Sequence, residues 1–552
     1  MPFLFVLALL ASAVAAWRAW RRVRHFLHVF QLEGYKRHEY TAWLRTRGAG
    51  RLWAPSHTGG LVLLGVLALL SARLPLGVGL PVTLGWMVAF ASAVHVERER
   101  EKKPLAFTAR MKRLASAALG LAALPVLAGA AGAFTLASPG AGLLALLGGW
   151  FLADLGAPAW VYFAGWLTEP VERRIQDGFK RRARATLDAR PDLTVVAVTG
   201  SYGKTSTKFV IAEVVQQRFQ TLVSPGSFNT PMGVCLVVNN QLRPDHRVLV
   251  LEMGARYSHD IQELTALAPP DIAVVTSVGV AHLETMGPIE NIARVKGDLV
   301  AGLRPGGQAI LNADDPRVAA MTARVPAHAG RVWTVSAEGR EADITAGAIT
   351  YGPEGARFTV RDDTGAEETV TTRLLGQHNV LNVLFGIAVG RALGLRLRQI
   401  AHAVGRVEPV AHRLALRREP NGVLTIDDAF NSNPVGARNA VEILSQMPVP
   451  EGGRRVIVTP GMVELGEAHE AENRTFGMHI AQHLTGERDL AVLVGPRQTA
   501  PIQDGLRAAG FPEERLHVVR SLFDARDLLA PLLREGDVVL YENDLPDTYA
   551  EN

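Results

Sequence analysis

A glycine-rich segment between a predicted strand and a predicted helix carries the clearest chemical signal in the chain. An apolar run at 193–198 predicts a strand, which leads directly into TGSYGKTST at 199–207 and then into a helical pattern over 208–218. Glycines let the backbone wrap closely around phosphate oxygens, and a helix amino terminus presents N–H groups to an anion. The segment therefore indicates a nucleoside triphosphate site; the alternative is a glycine-rich turn without a ligand.

Each residue type in this segment suits a triphosphate. The ammonium of Lys204 would neutralise phosphate charge, and the hydroxyl of Thr205 could ligate Mg²⁺. The spacing G-x-x-G-K-T is shorter than the common G-x-x-x-x-G-K-[ST]. The predicted phosphate-binding residues are Gly200, Ser201, Gly203, Lys204, Thr205 and Ser206.

Polar side chains follow two further apolar runs. Residues 248–251 read as a buried strand that ends at Glu252, and residues 273–275 read as another strand that leads to His282. Because parallel α/β sheets bind ligands at the carboxyl ends of their strands, we expect both side chains near the glycine-rich segment. A carboxylate oxygen suits Mg²⁺, and one imidazole is tolerable beside it. The alternatives are a solvent-facing glutamate and a hydrogen-bonded core histidine.

A series of ordered motifs after residue 190 resembles the Mur ligase family. One such motif would be weak evidence, but the whole series in order is specific. The motifs are SFNTPMGV (227–234), LEMGARYSHDI (251–261), AHLETMGPIENIARVKGDL (281–299), ILNADDP (310–316), GQHNVLN (376–382), HRL (412–414) and IDDAFNSNP (426–434).

The resemblance implies a set of metal ligands. Glu252 and His282 match Mg²⁺ ligands, which adds them to Thr205, and Lys296 matches a lysine that the family carbamylates to bind a second Mg²⁺. Read alone, Lys296 would be an ordinary solvated lysine on a helix over 289–303.

The resemblance also implies a nucleotide pocket. Asn379 matches a position beside the base, Arg413 an arginine that reaches the terminal phosphate, and Asp428 a carboxylate near the ribose. Asn431 and Asn433 match positions that line the adenine pocket.

The activity implied is ATP-dependent ligation of a carboxylate to an amine through an acyl phosphate, with Mg²⁺. The residues expected to act in catalysis are Lys204, His282, Lys296 and Arg413. The expected substrates are ATP, a muramyl peptide or a lipid-linked or polymeric carboxylate, and an amino-acid or dipeptide amine.

An α/β architecture must position these residues. After about residue 190, β-rich runs alternate with helical patterns, which is typical of parallel α/β units. We expect a transmembrane region at 1–170, a basic connector at 171–189, a central ATP-binding domain at 190–409 and a Rossmann-like carboxy-terminal domain at 410–552. Alternation over 330–374 predicts an antiparallel excursion within the central domain.

Long apolar stretches predict a membrane region in the first third. The stretches 3–17, 59–95, 114–137 and 141–166 suggest five spans, if 59–95 forms a hairpin broken near residues 73–75. Basic flanks place the amino terminus outside and the catalytic domains in the cytoplasm. The expectation is a multi-pass protein of the inner cell membrane with membrane lipid as a partner. A cleaved signal peptide is the alternative for 1–17.

Charge and cysteine content limit the kinds of partner and the chemistry that the chain can have. The formal net charge is +5, and its excess lies in basic blocks at 18–24 and 180–184. Apolar runs beside these blocks favour a membrane over nucleic acid. Cys235 is the sole cysteine, which excludes an internal disulfide and suggests a core residue rather than a nucleophile.

The sequence leaves several functions open. The first is a cell-wall peptide ligase of the dipeptide-adding kind. The second is a Mur-type ligase that acts on a lipid-linked or polymeric carboxylate, similar to poly-γ-glutamate synthase. The third is a weakly catalytic membrane scaffold, although the complete set of predicted site residues argues against it.

Overall fold

The computed structural model describes residues 2–46, 52–71, 85–86, 104–136, 138–226, 228–279, 286–409, 412–429, 434–463, 465 and 468–543. The chain forms two compact units, Met1–Gly178 and Phe179–Asn552. The helices that begin in the first unit are α1 (Pro2–Leu32), α2 (Arg37–Thr46), α3 (Pro55–Ser71), α4 (Ala109–Thr135), α5 (Pro139–Leu155) and α6 (Ala157–Asp188).

Small residues let α4 and α5 pack closely against each other. A Cβ atom on Gly129 would lie 2.3 Å from the carbonyl oxygen of Ala145, and one on Gly149 would lie 2.4 Å from that of Pro125. Both distances are far below van der Waals contact, so only glycine allows this approach of the two backbones. Part of the apolar surface of these helices is therefore buried between them.

A buried polar cluster joins α1, α3 and α5. Arg18 Nε donates to Asp154 Oδ2 at 3.1 Å, and Arg18 Nη2 donates to Ser56 Oγ at 2.8 Å. His57 Nε2 lies 2.9 Å from the same carboxylate oxygen, and His57 Nδ1 accepts a hydrogen bond from the amide of Ala54. Since all these side chains are at most 5% exposed, Arg18 belongs to the interior of the helical unit.

The described residues do not contain the predicted set of five spans. Residues 3–17 begin the continuous helix α1, which runs on through the basic block at 18–24, and α3 is a helix of only 17 residues. The stretch 141–166 divides at Gly156 into α5 and α6, which are bent by 67° relative to each other. Most of the predicted second arm of 59–95 lies outside the described residues.

By length and composition, α4 is the one described helix that could cross a membrane, or one of two if the bent pair α5 and α6 counts as a span. The prediction of a multi-pass protein of the inner cell membrane is therefore wrong. The physical reasons are that α3 is short for a span, that the stretch 141–166 bends sharply at Gly156, and that a basic residue counted as part of a loop is buried with a carboxylate. The predicted membrane-lipid partner is likewise not supported.

The second unit alternates strands with helices, which confirms the predicted α/β class. Its strands are β1 (Thr194–Thr199), β2 (Thr221–Val223), β3 (Val248–Glu252), β4 (Ile272–Val275), β5 (Gln308–Asn312), β6 (Val332–Ser336), β7 (Ile344–Ala346), β8 (Thr350–Gly352), β9 (Gly355–Arg361), β10 (Glu367–Thr372), β11 (Ala415–Arg418), β12 (Leu424–Asp428), β13 (Arg455–Thr459), β14 (Leu490–Val494), β15 (Leu516–Val519) and β16 (Val538–Glu542). Its helices are α7 (Lys204–Val215), α8 (Pro231–Gln241), α9 (Asp260–Leu267), α10 (Ile289–Ala301), α11 (Pro316–Ala319), α12 (Gln377–Ala392), α13 (Leu397–Val404), α14 (Pro434–Gln446), α15 (His469–His483), α16 (Ala500–Ala508) and α17 (Leu522–Leu529).

The central sheet has the strand order β10-β9-β7-β6-β5-β4-β1-β3-β2, with β8 paired to β9. Strand β1 lies between β3 and β4 and is parallel to both. Its side chains alternate between the faces: Val196 and Val198 pack in the core that includes α7 and α12, while Val195 and Ala197 pack in the core that includes α8, α9 and α10. A strand covered on both faces reads as a continuous apolar run, which is why the sequence predicted it.

An antiparallel segment extends the central sheet, as the alternating pattern over 330–374 predicted. It begins later than expected, because β6 and β7 still continue the parallel part of the sheet. Strand β9 is antiparallel to β7, β8 and β10.

The carboxy-terminal sheet has the strand order β11-β12-β16-β13-β14-β15. The strands run parallel except β11, which is antiparallel to β12. Helices α14 and α15 contribute to the core on one face, and α17 contributes to the core on the other. This is the nucleotide-binding-like arrangement that the sequence predicted for the domain.

The buried cluster in the first unit gives a testable stability prediction. Asp154→Ala would leave the charge of Arg18 buried without its carboxylate, so we expect the helical unit to lose about 3–5 kcal/mol of stability. Hydrogen–deuterium exchange of α1 in the full chain would measure the loss. Asp177→Ala, which removes an exposed carboxylate on α6, is the matched control. Equal protection of α1 in both variants would contradict the assigned role of the cluster.

Candidate active site

The glycine-rich segment lies where β1 ends and α7 begins, at the carboxyl edge of the central sheet. Gly203 caps α7 with φ 80°, and its position offers no side-chain hydrogen bond to the first turn. The first N–H groups of a helix have no partner within the helix, so this turn can receive the oxygens of an anion. Ser206 lies in the same first turn.

Two glycines in the loop are required by close contacts. A Cβ atom on Gly200 would lie 1.9 Å from Thr276 Oγ1, and one on Gly203 would lie 2.7 Å from Asn382 Oδ1. Gly203 also has a left-handed backbone conformation that residues with side chains rarely adopt. The loop is therefore in close contact with the residues after β4 on one side and with α12 on the other.

The residues after β4 hold the loop by hydrogen bonds. Ser201 N donates to the carbonyl oxygen of Ser277 at 2.8 Å, and Tyr202 N donates to Ser277 Oγ at 3.1 Å. Thr276 Oγ1 donates to the carbonyl oxygen of Tyr202 at 2.6 Å. Sequence reasoning did not identify Thr276 or Ser277, whose position directly after a predicted strand was the available signal.

Lys204 lies over the loop that precedes it. Its Nζ donates to the carbonyl oxygens of Gly200 at 2.9 Å and of Ser201 at 3.3 Å. Burial lowers the pKa of Lys204 and the nearby charge of Glu252 raises it, while the charge of Arg413 lowers it. These hydrogen bonds hold the ammonium where the loop would bring phosphate oxygens.

Glu252 is the last residue of β3, as predicted, and it is 1% exposed. Thr205 Oγ1 donates to its Oε2 at 2.9 Å, and Asn229 Nδ2 donates to its Oε1 at 3.0 Å. Lys208 Nζ lies 3.5 Å from Oε2 and is also fully buried. The structure therefore rejects the solvent-facing glutamate. Lys208, one helical turn after Lys204, was missed because nothing in the pattern marked it as buried.

The oxygens of Thr205 and Glu252 form a donor set that fits Mg²⁺. A hydroxyl and a carboxylate are hard ligands, and these two are already in contact beside the start of α7. The predicted ligand His282 lies outside the described residues.

Lys296 lies on α10 and is 3% exposed, so it is not the solvated helix lysine that its pattern alone suggested. Burial lowers its pKa to about 7, with a further lowering from the charge of Lys204. The unprotonated amine is the form that reacts with carbon dioxide, and at this pKa it is well populated near neutral pH. The two lysines thus share one electrostatic environment.

A chain of polar side chains connects α12 to α7. Asn379 Nδ2 donates to the carbonyl oxygen of Leu375 at 2.8 Å, and Asn379 Oδ1 accepts from Asn382 Nδ2 at 3.0 Å. Asn382 Oδ1 in turn accepts from Thr207 Oγ1 at 2.8 Å. Asn379 therefore lies in a buried network that reaches the phosphate-loop helix. The sequence motif contained Asn382, but no role had been assigned to it.

Arg413 lies on a strained turn before β11. Its neighbours His412 and Leu414 have φ values of 61° and 49°, a region that costs most residues about 1–2 kcal/mol. The carboxylates at the end of β12 hold this turn: His412 Nδ1 lies 3.0 Å from Asp427 Oδ2, and Leu414 N donates to Asp428 Oδ1 at 3.1 Å. Strain that is maintained by specific contacts is typical of functional positions.

Asp428 lies at the carboxyl end of β12. Burial raises its pKa to about 6, against the opposing effects of the Leu414 hydrogen bond and the charge of Arg413. Because Asp428 accepts a hydrogen bond from Leu414, it lies beside Arg413. The sequence did not predict that these two side chains are neighbours. The predicted adenine-pocket residues Asn431 and Asn433 lie outside the described residues.

Together these groups suit phosphoryl transfer. Lys204 and Arg413 supply positive charge, and Thr205 and Glu252 supply oxygen ligands. The first turn of α7 supplies N–H groups. Charge stabilisation and positioning are what phosphoryl transfer requires from a protein.

Comparison with known families matches two domains. Residues 198–390 match the Mur ligase middle domain, and residues 412–541 match the domain described as Mur ligase, glutamate ligase domain. Apart from the first residues of β1 and the last residue of β16, these ranges contain the central and carboxy-terminal sheets described above.

Individual relatives agree with the domain matches. A UDP-N-acetylmuramoyl-tripeptide–D-alanyl-D-alanine ligase from Mycobacterium bovis is 36% identical over 363 residues, which span 63% of this chain and 70% of the relative. A crystal structure of MurF from Acinetobacter baumannii superposes with a TM-score of 0.55 and 25% identity, over 68% of this chain and 78% of that chain. A structure of MurF ligase from Thermotoga maritima in complex with ADP gives a TM-score of 0.55 and 26% identity, over 67% and 80% of the two chains. The chain belongs to the Mur ligase family of ATP-dependent ligases that join a carboxylate to an amine.

Proposed function

We propose that this ligase joins the carboxylate of a UDP-N-acetylmuramoyl-tripeptide to the amine of D-alanyl-D-alanine in the synthesis of cell-wall peptide. The observation that carries the proposal is the group formed by Lys204, Thr205, Glu252 and Lys296 at the carboxyl edge of the central sheet. The substrate pair is that named for the Mycobacterium bovis relative.

The reaction proceeds in two displacements. A carboxylate oxygen of the tripeptide attacks the γ-phosphorus of ATP, the bond to the β,γ-bridging oxygen breaks, and ADP leaves. The amine then attacks the carbonyl carbon of the acyl phosphate, inorganic phosphate leaves, and the amine proton passes to solvent. Lys204 and Arg413 stabilise the negative charge that develops on the transferred phosphoryl group.

One Mg²⁺ is proposed to bind to Thr205, Glu252 and His282, and a carbamylated Lys296 is proposed to bind a second Mg²⁺. When bound, the metal supplies positive charge to the phosphate oxygens. The buried amine of Lys296 is suited to carbamylation because it loses its proton near neutral pH, and the carbamate would supply oxygen ligands in place of the amine.

The nucleotide is proposed to extend from the phosphate loop between the sheets. Asn379 would lie beside the base and Asp428 near the ribose. Asn431 and Asn433 would line the adenine pocket. We also propose the division predicted from the sequence, with the ATP-binding domain at 190–409, the last domain at 410–552 and a connector at 171–189 after the helical region 1–170.

Phosphate release tests the function directly. The full chain is offered ATP and Mg²⁺ with UDP-N-acetylmuramoyl-tripeptide and D-alanyl-D-alanine, and in parallel with glutamate or a lipid-linked muropeptide. We expect turnover with the first pair, and we expect Lys204→Ala to lower kcat by about 10²–10³ because it removes a charge from the transition state. Lys180→Ala, a partly exposed lysine of the same unit, is the control. Turnover restricted to the other acceptors would reject the proposed substrates.

Arg413 gives a second kinetic prediction. Since its side chain is exposed in this structure, Arg413→Ala should leave the protein folded, which far-UV circular dichroism would establish. We expect kcat and kcat/KM to fall together by about 10²–10³, the pattern of an interaction made in the transition state. Arg418→Ala, at the exposed end of β11, should leave both constants unchanged. A rise in KM alone would contradict the role.

The buried amine of Lys296 predicts a pH-dependent stability. Its folded pKa of about 7 lies below the ordinary value of 10.5, so the unfolded chain holds a proton that the folded chain releases. The wild type should therefore gain stability relative to Lys296→Met as the pH rises from about 7 to 10, and lose that gain as the pH falls through 7. Denaturation in buffer free of carbon dioxide and metal would measure the difference, with Lys180→Met as control. A difference that does not change with pH would contradict the assignment.

A further inference from the structure

A cluster of metal-binding side chains lies on the carboxy-terminal domain, between α14 and α15. Glu442 lies on α14, and His479 and His483 lie on α15. Each of the three residues offers a ligand atom, and these atoms lie within 4.8 Å of one another. His479 and His483 are four residues apart, so they share one face of the helix, and their ring centroids are 4.1 Å apart.

A hydrogen bond of His483 leaves one of its ring nitrogens available as a metal ligand. Its Nδ1 lies 2.9 Å from the carbonyl oxygen of His479. A carbonyl oxygen can only accept, so Nδ1 carries the proton and Nε2 keeps its lone pair. Histidine ligands commonly have their other ring nitrogen fixed by a backbone carbonyl in this way.

The second imidazole faces the carboxylate. His479 Nε2 lies 3.4 Å from Glu442 Oε1 and 3.2 Å from the carbonyl oxygen of Arg438. A proton on this nitrogen points at both acceptors, and a cation in its place would face the same carboxylate. The alternative to a metal site is a simple hydrogen bond between His479 and Glu442. This alternative explains their contact, but it does not explain why His483 lies beside them.

The ligands stand on well-packed helices. Ile443 and Leu444 of α14, and Phe476 and Ile480 of α15, lie in the same hydrophobic core. Side chains that project from packed helices are held in place better than those on loops. An ion bound here would connect the two helices directly.

Burial lowers the pKa of His479 and the neighbouring charge of Arg438 contributes to this lowering, but an ion pair with a carboxylate offsets that charge. The guanidinium of Arg438 is directed to Glu472, with an N–O distance of 3.4 Å. Access is also open, because the side chain of Glu442 is 46% exposed and that of His479 is 14% exposed. An ion can therefore reach the cluster without unfolding of the domain.

We propose that Glu442, His479 and His483 bind one divalent transition-metal ion of the Zn²⁺ class. Two imidazoles with one carboxylate favour such an ion over Mg²⁺ or Ca²⁺, which prefer oxygen ligands. With three protein ligands, water completes the coordination. The site is separate from the ligase chemistry and stands whether or not the proposed substrates are correct.

Titration of the untagged full chain with Co²⁺, followed by visible absorption, tests the site. We expect the wild type to bind Co²⁺ at this cluster and Zn²⁺ to displace it. His479→Ala and His483→Ala should each weaken the affinity about tenfold or more, because each removes a ligand. His517→Gln, which removes a histidine of the same domain on β15, should bind as the wild type does. Far-UV circular dichroism establishes that each variant is folded.

A further variant separates this site from the proposed Mg²⁺ site. Glu252→Gln alters the phosphate-loop site and should leave Co²⁺ binding at the carboxy-terminal cluster intact. The proposal is overturned if folded His479→Ala and His483→Ala bind Co²⁺ as tightly as the wild type. It is also overturned if folded Glu252→Gln loses the signal, or if the wild type binds no Co²⁺.

Discussion

The carboxylate of Glu252 is the charge on which the phosphate-binding elements depend. It is buried at the end of β3, where it accepts hydrogen bonds from Thr205 and Asn229 and faces the buried ammonium of Lys208. A buried carboxylate persists only where hydrogen bonds and opposite charge offset its lost hydration. The contacts that this carboxylate makes also fix the start of α7 against the sheet, so the position of the phosphate loop depends on them.

The local part of the site could be predicted from the sequence, whereas its long-range contacts could not. Apolar runs gave the parallel strands, and the residue after each run marked the carboxyl edge where Glu252 lies. The contact of Gly200 with Thr276 joins residues far apart in sequence, and it becomes visible only when β1 and β4 are adjacent. The contact between Asp427 and His412 could not be predicted either, because it forms only when the turn before β11 lies beside the end of β12. Periodicity reports which face a residue occupies, but not which side chain it meets there.

The first unit shows why apolar length misled the prediction. Hydropathy measures composition, and it does not distinguish a surface that faces lipid from one that faces another helix. Gly129 and Gly149 lie against the backbone of the neighbouring helix, and Arg18 is buried against Asp154, which is 136 residues distant. The rule that basic residues mark cytoplasmic loops considers only the residues near Arg18 in the sequence, so it cannot detect a carboxylate partner 136 residues away. The prediction of five spans rested on both of these counts.

An isolated bridge joins the central domain to the carboxy-terminal sheet, between Leu374 and Ala415. Because Arg413 stands close to Ala415 in the chain, a rotation of the carboxy-terminal sheet about this bridge would carry Arg413 through a short arc. Strands β14 and β15, at the far edge of the sheet, would sweep the longest path. In such a rotation the arginine would lie near the pivot and would move less than the distant edge of the sheet.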